Sequence, residues 1–195
     1  DRGMRMVLWM GAIGPTLILT ALLIYALPAM RPRATAPGDL VVRVDGEQFW
    51  WRVAYDPAGD LSPLLSANEV RIPVGRTVVF ELTARDVIHS FWIPGLAGKM
   101  DMIPGRTNRL VVQAEKSGRY RGVCAEFCGL SHALMAFDVI AMDATDFDAW
   151  LRRSRAASAG AIASRGATLF DAHGCGGCHA IRGTSHDARI GPDLS

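Results

Sequence analysis

From Met6 to Met30 the chain carries no charged residue. That run of roughly 25 residues exceeds the about 20 needed to cross a bilayer as a helix. Inside hydrocarbon every backbone polar group must find its partner within the segment, which restricts such a run to a helix. Gly11, Gly14 and Pro15 would weaken a helix in water but are tolerated in a membrane. Trp9 and Tyr25 stand near its two ends, where aromatic belts sit. A cleaved signal peptide is the competing reading. The run is too long for one, and no small-residue cleavage site precedes Arg31. Arg2 and Arg5 flank one end, Arg31 and Arg33 the other, so charge alone does not orient the helix.

Residues 31–38 (RPRATAPG) read as a proline-punctuated exit from the membrane. The pattern then changes to short strands: residues 40–44, 48–55, 69–74, 77–83, 87–93, 107–114, 120–123 and 134–142. Asp56-Pro57-Ala58-Gly59 reads as a turn, and Leu110, Val112 and Ala114 alternate with Arg109 and Gln113. Many short strands with turns between them predict an antiparallel sandwich or barrel. Residues 145–155 predict a short helix capped by Thr145, with acids early and arginines late, as the macrodipole favours. Residues 156–164 are rich in Ala, Ser and Gly and read as a linker. Helical spacing resumes over 165–172, with Ala167 and Phe170 facing a core. A net charge of +2, with no basic cluster interleaved with aromatics, argues against nucleic acid as a partner.

The four cysteines fall in two tight clusters, Cys124/Cys128 and Cys175/Cys178, where a disulfide framework would scatter them. The first cluster is Cys124-Ala125-Glu126-Phe127-Cys128-Gly129-Leu130-Ser131-His132-Ala133-Leu134-Met135. Thiolate, imidazole and thioether are soft or borderline donors that favour copper or zinc. His89, at the end of a predicted strand, is the candidate for a second imidazole. A Cys124–Cys128 disulfide, a Cys₂His₂ zinc site and a Met135 that is simply core each account for part of the set. Two Cys, two His and a Met together favour a binuclear copper centre. Two thiolates would bridge the metals and one imidazole would bind each. Met135 and a backbone carbonyl, that of Glu126, would be weak ligands.

The second cluster, Cys175-Gly176-Gly177-Cys178-His179, is the c-type haem attachment signature. The thiols reach the porphyrin vinyl groups and His179 ligates the iron. A thioredoxin-like redox pair is the competing reading. A haem c takes a sixth ligand, often Met or His. No Met follows Cys178, and His186 and His173 both read as solvent-facing, so the distal ligand is expected beyond Ser195.

These motifs carry a resemblance. The chain resembles subunit II of haem–copper cytochrome c oxidases, in the form with a fused C-terminal cytochrome c. The matching stretches are Gly46-Glu47-Gln48-Phe49-Trp50-Trp51, His89-Ser90-Phe91-Trp92-Ile93-Pro94, Gly98-Lys99-Met100-Asp101 through Arg106, and Tyr120 through Met135. The resemblance implies a mainly β fold: a transmembrane helix, a cupredoxin-like β-barrel, then the start of an α-helical cytochrome c domain. It implies four parts: 1–36, membrane helix and exit; 37–143, copper domain; 144–164, short helix and linker; 165–195, partial cytochrome c domain. It also implies that His89, Cys124, Cys128, His132, Met135 and the Glu126 carbonyl hold two coppers. The Glu126 carboxylate would reach a magnesium or manganese ion shared with subunit I, near Asp101 and Lys99. The Pro192 carbonyl would receive the Nδ1–H of His179. Family members usually carry two membrane helices before the barrel, so another is expected ahead of Asp1. Many also carry Trp where Phe49 stands, which puts the usual path for incoming electrons in question and leaves Trp50 and Trp51 as core or path.

The implied function is that of the subunit through which electrons enter a terminal oxidase. Tethered haem c would pass them to the copper centre and on to subunit I, where oxygen is reduced and protons are translocated. The implied partners are subunits I and III, a soluble cytochrome c or other periplasmic donor, and the bacterial inner membrane, with the soluble parts in the periplasm. A linker of about 10–15 residues has a reach of roughly 15–25 Å, which holds the haem near the copper at about millimolar effective concentration. The competing function is a membrane-anchored copper chaperone or thiol–disulfide protein. Such a protein needs neither His132 and Met135 close behind the second Cys, nor a haem.

Overall fold

A computed structural model describes residues 1–30, 36–55, 63–156 and 165–195. The 56–59 turn, most of the 156–164 linker and residues 31–35 of the membrane exit lie outside the described residues. Contacts divide the chain into two units, Asp1–Ala36 and Pro37–Ser195.

The first unit is one continuous, largely apolar helix, Arg2–Ala26, with no buried side chain. It runs as α1 (Arg2–Leu8), a π-helical turn (Trp9–Ile13) and α2 (Gly14–Ala26). The widened turn has an identifiable cause. Pro15 has no N–H to give the preceding turn, and the Gly14 N–H bonds the Trp9 carbonyl instead. Any Cβ at Gly14 would stand 2.8 Å from that oxygen. Length and apolarity suit a membrane span; an apolar surface exposed all round is otherwise untenable in water.

The second unit packs two five-stranded sheets face to face. Its strands are β1 (Leu40–Glu47), β2 (Trp50–Tyr55), β3 (Leu64–Ala67), β4 (Glu69–Pro73), β5 (Val78–Ala84), β6 (His89–Trp92), β7 (Met100–Met102), β8 (Asn108–Val112), β9 (Gly118–Cys124) and β10 (Ala136–Met142). One sheet runs β3-β2-β1-β5-β8, the other β4-β10-β9-β6-β7. Alternation decides the faces: Val42 and Val44 point inward from β1, and Phe137, Val139 and Ala141 from β10. This is the mainly β, cupredoxin-like fold the sequence implied. It is not purely antiparallel, however, because β1 pairs with β5 and β10 with β4 in parallel. Long crossovers that change sheet allow parallel neighbours, which no local pattern reports. β3 and β7 were also missed; at four and three residues they are too short to show a period.

Between the sheets lies an aromatic cluster. Phe91 stacks on Phe137 at 4.5 Å, and Trp51 meets both at 5.6 and 5.1 Å. Gly122 makes this possible: it pairs with Phe137 across β9–β10, and a Cβ there would fall 2.2 Å from the ring. Helix α3 (Ala144–Arg155) closes one end by burying Phe147 and setting Trp150 5.1 Å from Tyr55. Its N-cap is Asp143, not Thr145, and no side chain caps it. Helix α4 (Arg165–Ala172) follows the sequence expectation and ends at Gly174, whose φ of +67 is the left-handed stop that suits glycine.

Candidate metal centre

Cys124 ends β9 and Met135 immediately precedes β10, so the cysteine loop is the connection of one antiparallel hairpin. The Cys124 N–H donates to the Met135 carbonyl at 3.0 Å, which closes the loop and sets thiol beside thioether. A short 3-10 turn, His132–Leu134, turns the imidazole back toward Cys128. His89 arrives from β6, where Phe91 pairs with Cys124 and the Ala125 N–H donates to the Ser90 carbonyl. A bond between distant strands thus delivers the second imidazole.

The two sulfurs are 3.9 Å apart, against about 2.05 Å for a disulfide. His89 Nδ1 lies 3.9 Å from Cys124 Sγ, and His132 Nδ1 lies 3.6 Å from Cys128 Sγ. The Glu126 carbonyl is 3.2 Å from Cys124 Sγ and the Met135 thioether 3.7 Å from Cys128 Sγ. Donors about 2.0–2.3 Å from a shared metal stand roughly 3.5–3.8 Å apart. The set therefore fits a metal-loaded arrangement, and His89, Cys124 and Cys128 are all buried. Each thiol has one imidazole and one weaker donor beside it.

Burial opposes ionisation at Cys124, but hydrogen bonds from His89 and the backbone of Ser90 and Glu126 bring its pKa down to about 6. Burial and then the neighbouring Cys124 thiolate push Cys128 up to about 11. Without metal one thiolate is favoured and the second is suppressed. A bound cation removes that penalty and displaces the remaining proton.

Three residues that sequence reasoning did not select hold this set in place. Asp86 Oδ1 lies 2.8 Å from His89 Nε2. With the ring's Nε2–H given to this carboxylate, Nδ1 is left to a metal. Burial works against a charged His89, while Cys124 and Asp86 hold its pKa above the usual value. Gln48 takes both sides: its N–H donates to Asp86 and its side-chain amide to the Cys128 carbonyl, each at 2.6 Å. Gly46 gives the His89 ring room, since a Cβ would meet it at 2.9 Å. An acid three residues before His89 was the one sequence signal available for Asp86.

The profile of the family described as "Cytochrome C oxidase subunit II, periplasmic domain" matches residues 56–142. The solved periplasmic domain of cytochrome oxidase subunit II from Bradyrhizobium japonicum is 30% identical with a TM-score of 0.57, covering 65% of this chain and 97% of that one. The chain belongs to the cytochrome c oxidase subunit II family. Cytochrome c oxidase subunit 2 of Alkalihalophilus pseudofirmus is 43% identical over 146 residues, 73% of this chain and 42% of that protein. A chain of a heme-copper terminal oxidase dimer solved by cryo-EM is 25% identical with a TM-score of 0.51, covering 68% of this chain and 95% of that one. The chain spans about half the length of the curated subunit II relatives it matches.

The other expected site residues of this subunit II chain fall in two places. Asp101 sits on β7 opposite Ser90, accepts the Ser90 hydroxyl at 2.8 Å and pairs with Lys99 at 3.3 Å. Ser90 first, then Lys99, lowers its pKa. The Glu126 side chain is exposed. Trp51 is wholly buried beside His89 and belongs to the core, whereas Trp50 and Phe49 are half-buried, Phe49 against Gly129 of the cysteine loop.

The second place is the C-terminal segment. His179 Nδ1 lies 2.8 Å from the Pro192 carbonyl, and a Cβ at Gly191 would meet the His179 ring at 2.6 Å. The ring is thereby pinned with Nε2 left over for a ligand, and Cys175 and Cys178 are free thiols. These residues fit a haem c attachment. His173 is exposed as expected. His186 is not a solvated loop residue: it is half-buried, pairs with Asp171 at 2.8 Å and packs on Phe170. A partner on the preceding helix is invisible to local sequence reading.

Proposed function

We propose that this chain is the subunit through which electrons enter a haem–copper terminal oxidase. His89, Cys124, Cys128, His132 and Met135, with the Glu126 carbonyl, would hold a binuclear copper A centre. Cys175, Cys178 and His179 would hold a covalent haem c. These groups supply one-electron storage at little structural cost. The observation that carries the reading is the pair of sulfurs 3.9 Å apart, each flanked by one imidazole and one weak donor.

The chain's own residues supply rigidity. Cys124 and Met135 are fixed by backbone bonds, His89 by Asp86, and Cys128 by Gln48. A site built on paired strands resists displacement when charge changes, which suits electron transfer more than bond chemistry. Asp101, Lys99 and the exposed Glu126 carboxylate would face subunit I and a magnesium or manganese ion. The apolar helix anchors the unit to the bacterial inner membrane, with the copper domain in the periplasm. Subunit III and a periplasmic cytochrome c complete the set of partners. A thiol–disulfide or copper-chaperone role would leave His132 and Met135 without purpose.

Electron paramagnetic resonance of the copper-loaded protein tests this. One electron shared over two coppers is expected. A mononuclear signal, or zinc bound in preference to copper, would overturn the reading. Met135→Leu should keep the shared signal with a shifted potential, and Cys124→Ser should lose it.

A further inference from the structure

Among the described residues, three polar side chains are buried: His89, Ser90 and Arg52. The first two serve the metal centre and Asp101. Arg52 serves neither, and a buried guanidinium needs partners. It has three. Glu47 holds its Nε at 2.8 Å, the Trp50 ring lies 4.6 Å from its guanidinium carbon, and its Nη2 donates to the Arg189 carbonyl at 2.9 Å. That third partner is 137 residues away, in the Cys175–His179 segment's own closing loop.

The contact lies beside a cleft of about 690 Å³ between the β1–β2 face and residues 180–193. Several of its arginines are already neutralised: Arg85 by Asp45 and Glu47, and Arg182 by Asp193. Contacts continue on both sides of Arg52. Two residues beyond Arg189, the Gly191 N–H donates to the Cys178 carbonyl at 2.8 Å and its Cα underlies the His179 ring. On the barrel side, Trp50 follows Gln48 and Phe49, which lie against Gly129 while Gln48 bonds the Cys128 carbonyl.

We propose that the β2 face carrying Arg52 is the docking surface for the chain's own C-terminal segment, engaged through residues 180–193 that close over Cys178 and His179, with Arg52 as the positioning residue. The proposal rests on the haem and copper reading above and adds where the two sites meet. With haem and copper bound, this seam would let one electron pass from the first to the second without a proton.

The test uses the full-length holoprotein in detergent. Hydrogen exchange of peptides covering 187–193 and the iron–copper distance distribution from pulsed electron paramagnetic resonance report docking. Flash-initiated haem-to-copper transfer reports its use. Losing one charge-assisted hydrogen bond should shift the docked-to-undocked ratio by about tenfold or more. In Arg52→Gln, faster exchange, a broadened distance distribution and about tenfold slower transfer are expected, with the copper signal unchanged. Arg52→Lys, which keeps a donor but loses the planar stack, should restore part of the docking. Glu47→Gln removes the charge of the ion pair but keeps an oxygen to accept from Arg52 Nε, and should leave the segment docked. Wild-type exchange and distances in Arg52→Gln would overturn the proposal, as would release of the segment in Glu47→Gln. If no covalent haem is found at Cys175 and Cys178, the haem reading falls. The exchange measurement still decides whether the segment docks through Arg52.

Discussion

Asp86 and Gly46 act on one imidazole from two sides. The carboxylate takes the His89 Nε2–H, and the missing Cβ lets the ring lie over β1. Asp86→Asn keeps an acceptor but loses the charge that raises ligand basicity. Its copper affinity should fall by about 10–100-fold while the shared-electron signal survives, measured by competition with a chelator of known affinity. Gly46→Ala places a methyl 2.9 Å from the ring, inside a paired strand that cannot move away. The copper-free domain should lose about 1–3 kcal/mol in denaturant unfolding, and the displaced His89 should weaken copper binding as well.

At the scale of elements, the β9–β10 hairpin carries the site, and its solvent face is tied by Asp138. Arg119 bonds this carboxylate at 2.6 Å and Arg121 lies 3.7 Å away, and the Arg119 bond first among them holds its pKa below the normal carboxylate range. A lowered folded pKa means a contribution fully present above the unfolded value, about 3.9, and lost as pH falls through the folded one. Asp138→Asn should therefore lower the melting temperature at pH 7, by a small amount because the arginines are solvent-exposed. Melting temperatures of variant and native chain should converge as pH falls through the lowered folded pKa of Asp138. The hairpin was legible as two strands around a cysteine loop because residues 136–142 alternate and the loop is dense in donors. β7 was not legible, and β4, read correctly as a strand over residues 69–74, gave no sign of its partner. β7 has three residues, and the parallel β4–β10 pairing joins segments 69 positions apart in sequence, as Glu69 and Asp138 show.

At the scale of the molecule, the helix up to Ala26 buries no side chain, and the division at Ala36 leaves the barrel's core wholly in Pro37–Ser195. A chain beginning at Pro37 should therefore fold without detergent, with unchanged near-ultraviolet circular dichroism and the same copper signal. Loss of either would show that the helix contributes to the core. By itself the amino-acid order determined the long apolar helix, the donor types and the Cys-x-x-Cys-His signature. Each of these rests on residues adjacent in the chain: a run without charge, two thiols four apart with His and Met behind them, and Cys-x-x-Cys-His. It also singled out His89, although no spacing could say how near it comes to Cys124. Only the tertiary structure decided that nearness, through the β6–β9 pairing, and with it the parts of Asp86, Gln48 and Gly46. It also decided that Trp51 is core and that Arg52 reaches the Arg189 carbonyl. Apart from Asp86 beside His89, those assignments depend on contacts between distant segments, such as His89 with Cys124, 35 residues apart, and Arg52 with Arg189, 137 apart. Periodicity tells which face of a strand is buried, but not which distant residue is buried against it.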